Sequence, residues 1–249
     1  MKRTAIIFLV SIILGLNSCD VLQQVLDDAS QQTALSNSEI IQGLKEALTE
    51  GVVSSSKVLH APDGYFKNAA VKILLPPEAN VIVENIRKIP GLGDKTMDDL
   101  VLRINRSAED AAVEAKPIFI NAVKSMTIQD GMAILKGSNT SATNYLKSKT
   151  YNQLKSAFAP KINNSLNKKL VGNVSTNQAW SQTTTLYNKV APFIGKPKVN
   201  TNLGDYVTRK ALDGLFFKVA EEEKKIRANP YQYTSDIIKK VFGYAKNNL

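Results

Sequence analysis

Between Met97 and Ala122 the residues Met97, Val101, Ile104, Ala108, Ala111, Ala115, Ile118 and Ala122 recur in alternating steps of four and three. That spacing sets them on one face of an α-helix, and the small residues at its centre let a neighbouring helix approach closely. A chain carrying such a seam is committed to packing helix on helix. The natural partner is the apolar run from Ala211 to Ala220. Pro117 lies inside the seam and removes a backbone donor, so a kink or a break is expected there.

Other segments read as helices with recognisable stops. Ser36-Asn37-Ser38-Glu39 fits a capping box, and Ile40, Ile41, Leu44, Ala47, Leu48, Val52 and Leu59 follow at helical spacing, predicting an amphipathic helix over 37–59. Pro77 can open a helix over 78–89. Thr127 to Asp130 can cap a helix that stops at Gly137. Further helical patterns cover 141–149, 151–171 with Pro160 inside, 175–190, 203–227 and 234–246. Residues 60–64 form a turn, and Pro76-Pro77 closes a short piece that begins at Ala70. There is no convincing alternating strand pair and no internal repeat. The expected fold class is all-α, a single multi-helix domain over 36–249 with about nine helices.

The N-terminus carries a different message. Lys2 and Arg3 precede an apolar run over 5–16, the layout of a secretory signal. Twelve helical residues span about 18 Å, too short for a bilayer core of about 30 Å. Leu16-Asn17-Ser18-Cys19 resembles a bacterial lipobox, in which the cysteine thiol is joined to a diacylglycerol before a peptidase cuts ahead of it. Cys19 is the sole cysteine, so its acylation leaves no thiol for a disulfide, and packing alone must stabilise the domain. Residues 1–18 are read as a signal peptide and 19–35 as a lipid-attached spacer, which could also hold a short helix through Val21, Leu22, Val25 and Leu26. The expected place is the envelope of a Gram-negative bacterium, lipid-anchored, with the outer membrane preferred although Asp20 after the cysteine retains some lipoproteins at the inner one.

Removal of residues 1–18 takes two basic groups and no acid, leaving 30 basic against 22 acidic side chains and a net charge of +8. Residues 131–204 hold ten lysines and no Asp or Glu, interleaved with Tyr145, Tyr151, Phe158, Trp180 and Tyr187. Such a mixture suits an anionic lipid or glycan surface, while the plainer reading makes the lysines a solvated face and the aromatics core. Pro90-Gly91-Leu92-Gly93 between two helices is similar to a DNA-binding helix-hairpin-helix. Met97 stands where that motif has a small residue, and Asp94, Asp98 and Asp99 crowd its phosphate site, so an ordinary helix turn is expected and no nucleic acid partner.

Enzyme templates fail on supply. His60 is the only histidine, and no metal-ligand cluster, Walker loop or Ca²⁺ loop occurs, so no cofactor and no metal are expected. Asp99 with Arg103, Arg106 with Asp110, Glu221 with Lys225 and Glu223 with Arg227 are spaced for i,i+4 pairing. Asn105, Arg106, Glu109 and Asp213 stand out from this background, because Asp213 lies among Leu212, Leu215, Phe216 and Phe217 and a carboxylate in such company needs a partner. The expectation is that Arg106, Glu109 and Asp213 satisfy one another as a polar network, with a ligand or catalytic pocket as the other reading.

Asn105-Arg-Ser-Ala-Glu109, Ala115-Lys-Pro-Ile-Phe119, Met126-Thr-Ile-Gln-Asp130 and Ile134-Leu-Lys-Gly137 resemble blocks of the domain-of-unknown-function family 4197 of bacterial envelope proteins. Tyr206 to Phe216, Ile226-Arg-Ala-Asn-Pro230 and Val241-Phe-Gly243 are similar to its C-terminal blocks. The resemblance implies a helical domain, often behind a lipoprotein signal, with no assigned activity. It adds Arg227 to Asn105, Arg106, Glu109 and Asp213 as a candidate set and gives none of them a role. The expected function is binding or scaffolding of an anionic or apolar envelope component, and the alternative is a carboxylate-dependent enzyme using the Glu109 and Asp213 region.

Overall fold

The computed structural model describes residues 35–248 apart from Leu92, Gly172 and Asn173. Cys19, the signal segment and the spacer lie outside the described residues. The chain forms α1 (Asn37–His60), α2 (Asn80–Arg87), α3 (Gly93–Ala111), α4 (Ala115–Lys124), α5 (Ile128–Lys136), α6 (Ser141–Leu166), α7 (Thr176–Val190), α8 (Leu203–Ala228) and α9 (Asp236–Asn248). Short 3₁₀ turns stand at Pro77–Ala79, Ala112–Glu114, Ala191–Ile194 and Pro230–Gln232. It is a single all-α domain, and among the described residues no helix is long and apolar enough to cross a membrane.

Local chemistry starts these helices where expected. The Ser36 hydroxyl accepts from Glu39 N–H while the Glu39 carboxylate accepts from Ser36 N–H. Thr127 with Asp130 and Ser175 with Gln178 repeat the same reciprocal cap for α5 and α7. The expected break at Pro117 falls one turn earlier, where the chain tightens into the 3₁₀ turn at Ala112–Glu114. Pro117 cannot donate to the carbonyl of Val113 and its ring crowds that carbonyl, so the strain is released just ahead of the proline.

The core is built around α6, whose residues Leu146, Thr150, Leu154, Phe158, Ile162 and Leu166 are buried at every fourth position. Helices α3, α4 and α8 pack on it, α1 packs on α8, and α9 packs chiefly on α1. Sequence pattern split α6 at Thr150. The Thr150 hydroxyl donates to the Leu146 carbonyl at 2.6 Å, which satisfies it in the core and lets the helix run through. The seam of α3 packs chiefly on α6 and touches α8 only lightly, a correction to the expected partner. Ala108, Ala111 and Ala115 are fully buried in the same core as Leu154, Phe158 and Ile162 of α6, so small residues on one side are matched by large ones on another.

A second correction concerns the helical pattern over 151–171. Helix α6 ends at Leu166, and β1 (Lys169–Val171) pairs antiparallel with β2 (Val174–Ser175). Asn167 N–H turns back to the Asn163 carbonyl, and the Asn177 side chain bonds both Asn163 and Asn167, pinning the stop. The intervening Gly172-Asn173 is a two-residue hairpin signal that helical periodicity overrode.

Among the described residues, every buried residue of the hydrophobic core lies between Ile40 and Phe242. A chain begun at Leu35 should therefore unfold in one cooperative denaturant transition, at the midpoint of the chain begun at Cys19. A broad transition or a lower midpoint would refute that independence.

The Lys240 ammonium on α9 and the Ser36 cap hold Glu39 down to about 2 from an ordinary 4.5. A carboxylate with a lowered folded pKa contributes stability that is complete above its unfolded pKa and is lost as pH falls through the folded one. Carboxyl NMR titration should therefore place Glu39 near the low end of that window, and Lys240→Met should move its midpoint upward.

Candidate functional site

Residues 61–75, between α1 and the first 3₁₀ turn, contain no helix or strand, and two turns of α3 hold them in place. The fully buried Asn105 accepts Ile73 N–H and donates to the Ile73 carbonyl, both at 2.8 Å, and its amide also bonds the Val101 carbonyl at 2.8 Å. One helical turn on, Glu109 turns a carboxylate that is 3% exposed toward the same segment. Its Oε1 accepts the N–H groups of Tyr65 and Phe66, each at 3.1 Å, and Oε2 accepts Arg106. Arg106 reaches on to Asp63 at 2.7 Å, and Lys67 meets the other oxygen of Asp63 at 2.9 Å. Lys67 and Arg106 together hold the Asp63 carboxyl below its usual range. Asp63 sits at φ 68°, a left-handed conformation that Asp tolerates better than most residues. His60, at the end of α1, places Nδ1 2.9 Å from the Glu109 carbonyl.

Asp213 takes no part in this network. Its side chain is 57% exposed, and its ion pair is a loose one with Lys210, at 4.0 Å. The residues beside it in sequence are not beside it in space: on α8, Leu212, Leu215 and Phe216 face the core, whereas Tyr206, Lys210, Asp213 and Phe217 form the opposite stripe. Arg227 belongs to a separate network. With Glu223 it makes a buried i,i+4 pair at 3.0 Å, and its other nitrogens donate to the carbonyls of Ile134 and Leu135 at the end of α5. Glu223 accepts the N–H groups of Ala142 and Thr143 and the Thr143 hydroxyl. It therefore caps α6 from another helix, where Thr140 makes no side-chain cap. Sequence spacing found the Glu223–Arg227 pair and missed its capping role, which depends on a residue 81 positions away.

Several charges choose other partners than the i,i+4 spacing suggests. Arg106 takes Glu109 and Asp63 in place of Asp110, and Lys225 and Glu221 pair at three-residue spacing with Glu222 and Lys218. In the glycine turn Arg87 binds Asp94 and Asp98. A Cβ on Gly93 would lie 2.1 Å from the Ile86 carbonyl, so the glycine serves close chain approach.

The clamped segment forms one wall of a cleft of about 670 Å³, with the Tyr206, Lys210, Asp213 and Phe217 stripe of α8 as the other. The walls are tied where the Tyr206 hydroxyl donates to the Leu74 carbonyl at 3.0 Å and the buried Tyr65 hydroxyl to the Ala211 carbonyl at 2.8 Å. Burial, reinforced by the Glu109 charge, keeps the Tyr65 phenol protonated far above its usual range. Gly214 is required at the junction, since a Cβ there would lie 2.9 Å from the Tyr65 ring. Leu75 and Val83 line this cleft and also a smaller, more enclosed pocket of about 190 Å³ bounded by Ile86, Met97, Leu100 and Trp180. The Thr176 hydroxyl on that pocket is buried without a partner among the described residues. No group of three or more His, Cys, Asp or Glu that could hold a metal occurs among them.

The two blocks that build this arrangement, Asn105 to Glu109 and Tyr206 to Phe216, lie within a wider match: a family described as Protein of unknown function (DUF4197) fits residues 34–243. The chain belongs to this family. No curated protein and no solved structure matches it. Within the family match, three of the five candidate residues act together on the cleft wall, Asp213 edges the cleft, and Arg227 works elsewhere.

Removing Glu109 would leave two backbone donors and an arginine without their acceptor. Glu109→Ala should lower unfolding stability by about 3–5 kcal/mol, whereas Asp213→Leu should change it by less than about 0.5 kcal/mol. Arg106→Met and Asp213→Leu should be additive in denaturant melts, because they share no partner. Recovery in the double variant would restore the link between them that the geometry lacks.

Proposed function

We propose that this is a lipid-anchored cell-envelope protein, attached through Cys19, whose domain binds an amphiphile with an apolar chain and an anionic head. The observation that carries the reading is the junction of the two cavities at Leu75 and Val83. A chain entering past Leu75 would lie against Ile86, Leu100 and Trp180, while its head would remain near Lys72 and Lys210. Binding is preferred to catalysis because Glu109 uses both oxygens to hold the wall and Asp213 stands at the solvent-facing edge.

Trp180 is the sole tryptophan and lines the inner pocket, so it reports occupancy directly. Brominated long-chain fatty acids should quench its emission saturably, and native mass spectrometry of freshly purified protein should show a retained small molecule. Lys72→Glu with Lys210→Glu should weaken quenching about tenfold or more through loss of the head contact. Absence of saturable quenching in the unaltered protein would overturn the binding reading. The anchor is tested separately: Cys19→Ser should abolish membrane fractionation, and unchanged fractionation would exclude it.

A further inference from the structure

Helix α7 and the 3₁₀ turn that follows it project an apolar tip. Leu186, Val190, Phe193 and Ile194 recur at helical spacing, and all four are exposed, Phe193 to 89%. The residues from Pro192 to Lys198 are exposed without interruption. This tip is held rigidly from below. The Asn188 side chain makes two hydrogen bonds of 2.8 Å with the backbone of Val199, one as donor and one as acceptor. Gly195, in the left-handed conformation at φ 64°, turns the chain, and Lys196 N–H closes back on the Ala191 carbonyl at 2.9 Å. Buried Ala191 and Val199 fill the base. Four apolar side chains thus stand more than half in water, with nothing among the described residues to complete their cover.

Charge around the tip identifies what would cover it. Elsewhere in the lysine-rich stretch several ammonium groups are already engaged: Lys155 binds Asp205, Lys161 binds Glu114, and Lys147 and Lys149 lie over the rings of Phe216 and Tyr145. Lys189, Lys196 and Lys198 flank the tip and have no acidic partner among the described residues, in a stretch with no Asp or Glu between 131 and 204. An apolar wedge ringed by unpaired cations matches an anionic bilayer, whose acyl region accepts the wedge and whose headgroups accept the ammonium groups.

We propose that the Leu186, Val190, Phe193 and Ile194 tip docks this domain onto an anionic phospholipid surface, with Lys189, Lys196 and Lys198 in the headgroup layer. This second contact rests on the exposed tip and its charge, not on occupancy of the cleft. With it the domain would lie against a membrane in a fixed orientation.

The test uses the domain from Leu35 onward, which holds every buried core residue among those described, in co-sedimentation with vesicles of phosphatidylcholine alone or with about a third phosphatidylglycerol. The domain should bind the anionic vesicles and scarcely the neutral ones. Replacing all three lysines by Gln should weaken that binding about 100-fold, since each cation near a charged surface is worth roughly fivefold. Phe193→Ser with Ile194→Ser should weaken it about tenfold or more. Both variants should stay folded and melt close to the unaltered domain, because each changed side chain stands largely or more than half in solvent. In Phe193→Trp, brominated acyl chains in the bilayer should quench an emission component absent from the unaltered domain. No binding to anionic vesicles, or equal binding by the tip variants, would overturn the proposal. So would sedimentation equilibrium showing a dimer that Phe193→Ser dissolves, because the tip would then be a contact between copies. Lys72→Glu with Lys210→Glu should leave vesicle binding intact, separating failure of the tip from failure of the cleft.

Discussion

A carboxylate buried as deeply as that of Glu109 must find donors, and the N–H groups of Tyr65, Phe66 and Ile73, which the turns over 61–72 leave over, must find acceptors. Each solves the other's problem. Two backbone N–H groups and a guanidinium surround the carboxylate, and Asn105 performs the same service for Ile73. Helix α3 therefore contributes apolar packing on one face and shapes an irregular chain with the other. The cleft exists because that chain, rooted in the core through Tyr65, Val71 and Ile73, stands as a wall beside α8.

The same device recurs at the far end of α8. Glu223 is buried, accepts two helix-terminal N–H groups and is countered by an arginine that also satisfies carbonyls at the end of α5. In both places a glutamate with an arginine three or four residues away closes a break in regular structure. In both, the structural burden falls on charge-assisted hydrogen bonds in a site largely shielded from water.

Much of the helical frame was legible because it is written locally. Capping pairs such as Ser36 with Glu39 and Thr127 with Asp130 need only residues three apart, and apolar periodicity needs only one helix. What failed was long-range or face-specific. Asp213 looked buried because its sequence neighbours are apolar, whereas one helical step turns it outward. Thr150 read as an interruption because its satisfaction by Leu146 cannot be seen in an apolar pattern. Asn105, Arg106 and Glu109 hold one segment together, but their partners at Ile73, Asp63 and Tyr65 could not be read from the sequence, since most of the bonds go to backbone.

The Tyr65 hydroxyl bonds a carbonyl 146 positions along the chain, and the Glu109 bonds to its backbone span 44. Helical proteins ordinarily assemble quickly because their contacts are close in sequence. Here the helices and the turns over 61–72 can form from local information, yet the N–H groups of Tyr65, Phe66 and Ile73 lack their acceptors until α3 is in place, and the Tyr65 hydroxyl lacks its own until α8 is. Loop-closure entropy must be met before those bonds can form. The cleft wall is thus among the last parts of this molecule to acquire its native shape.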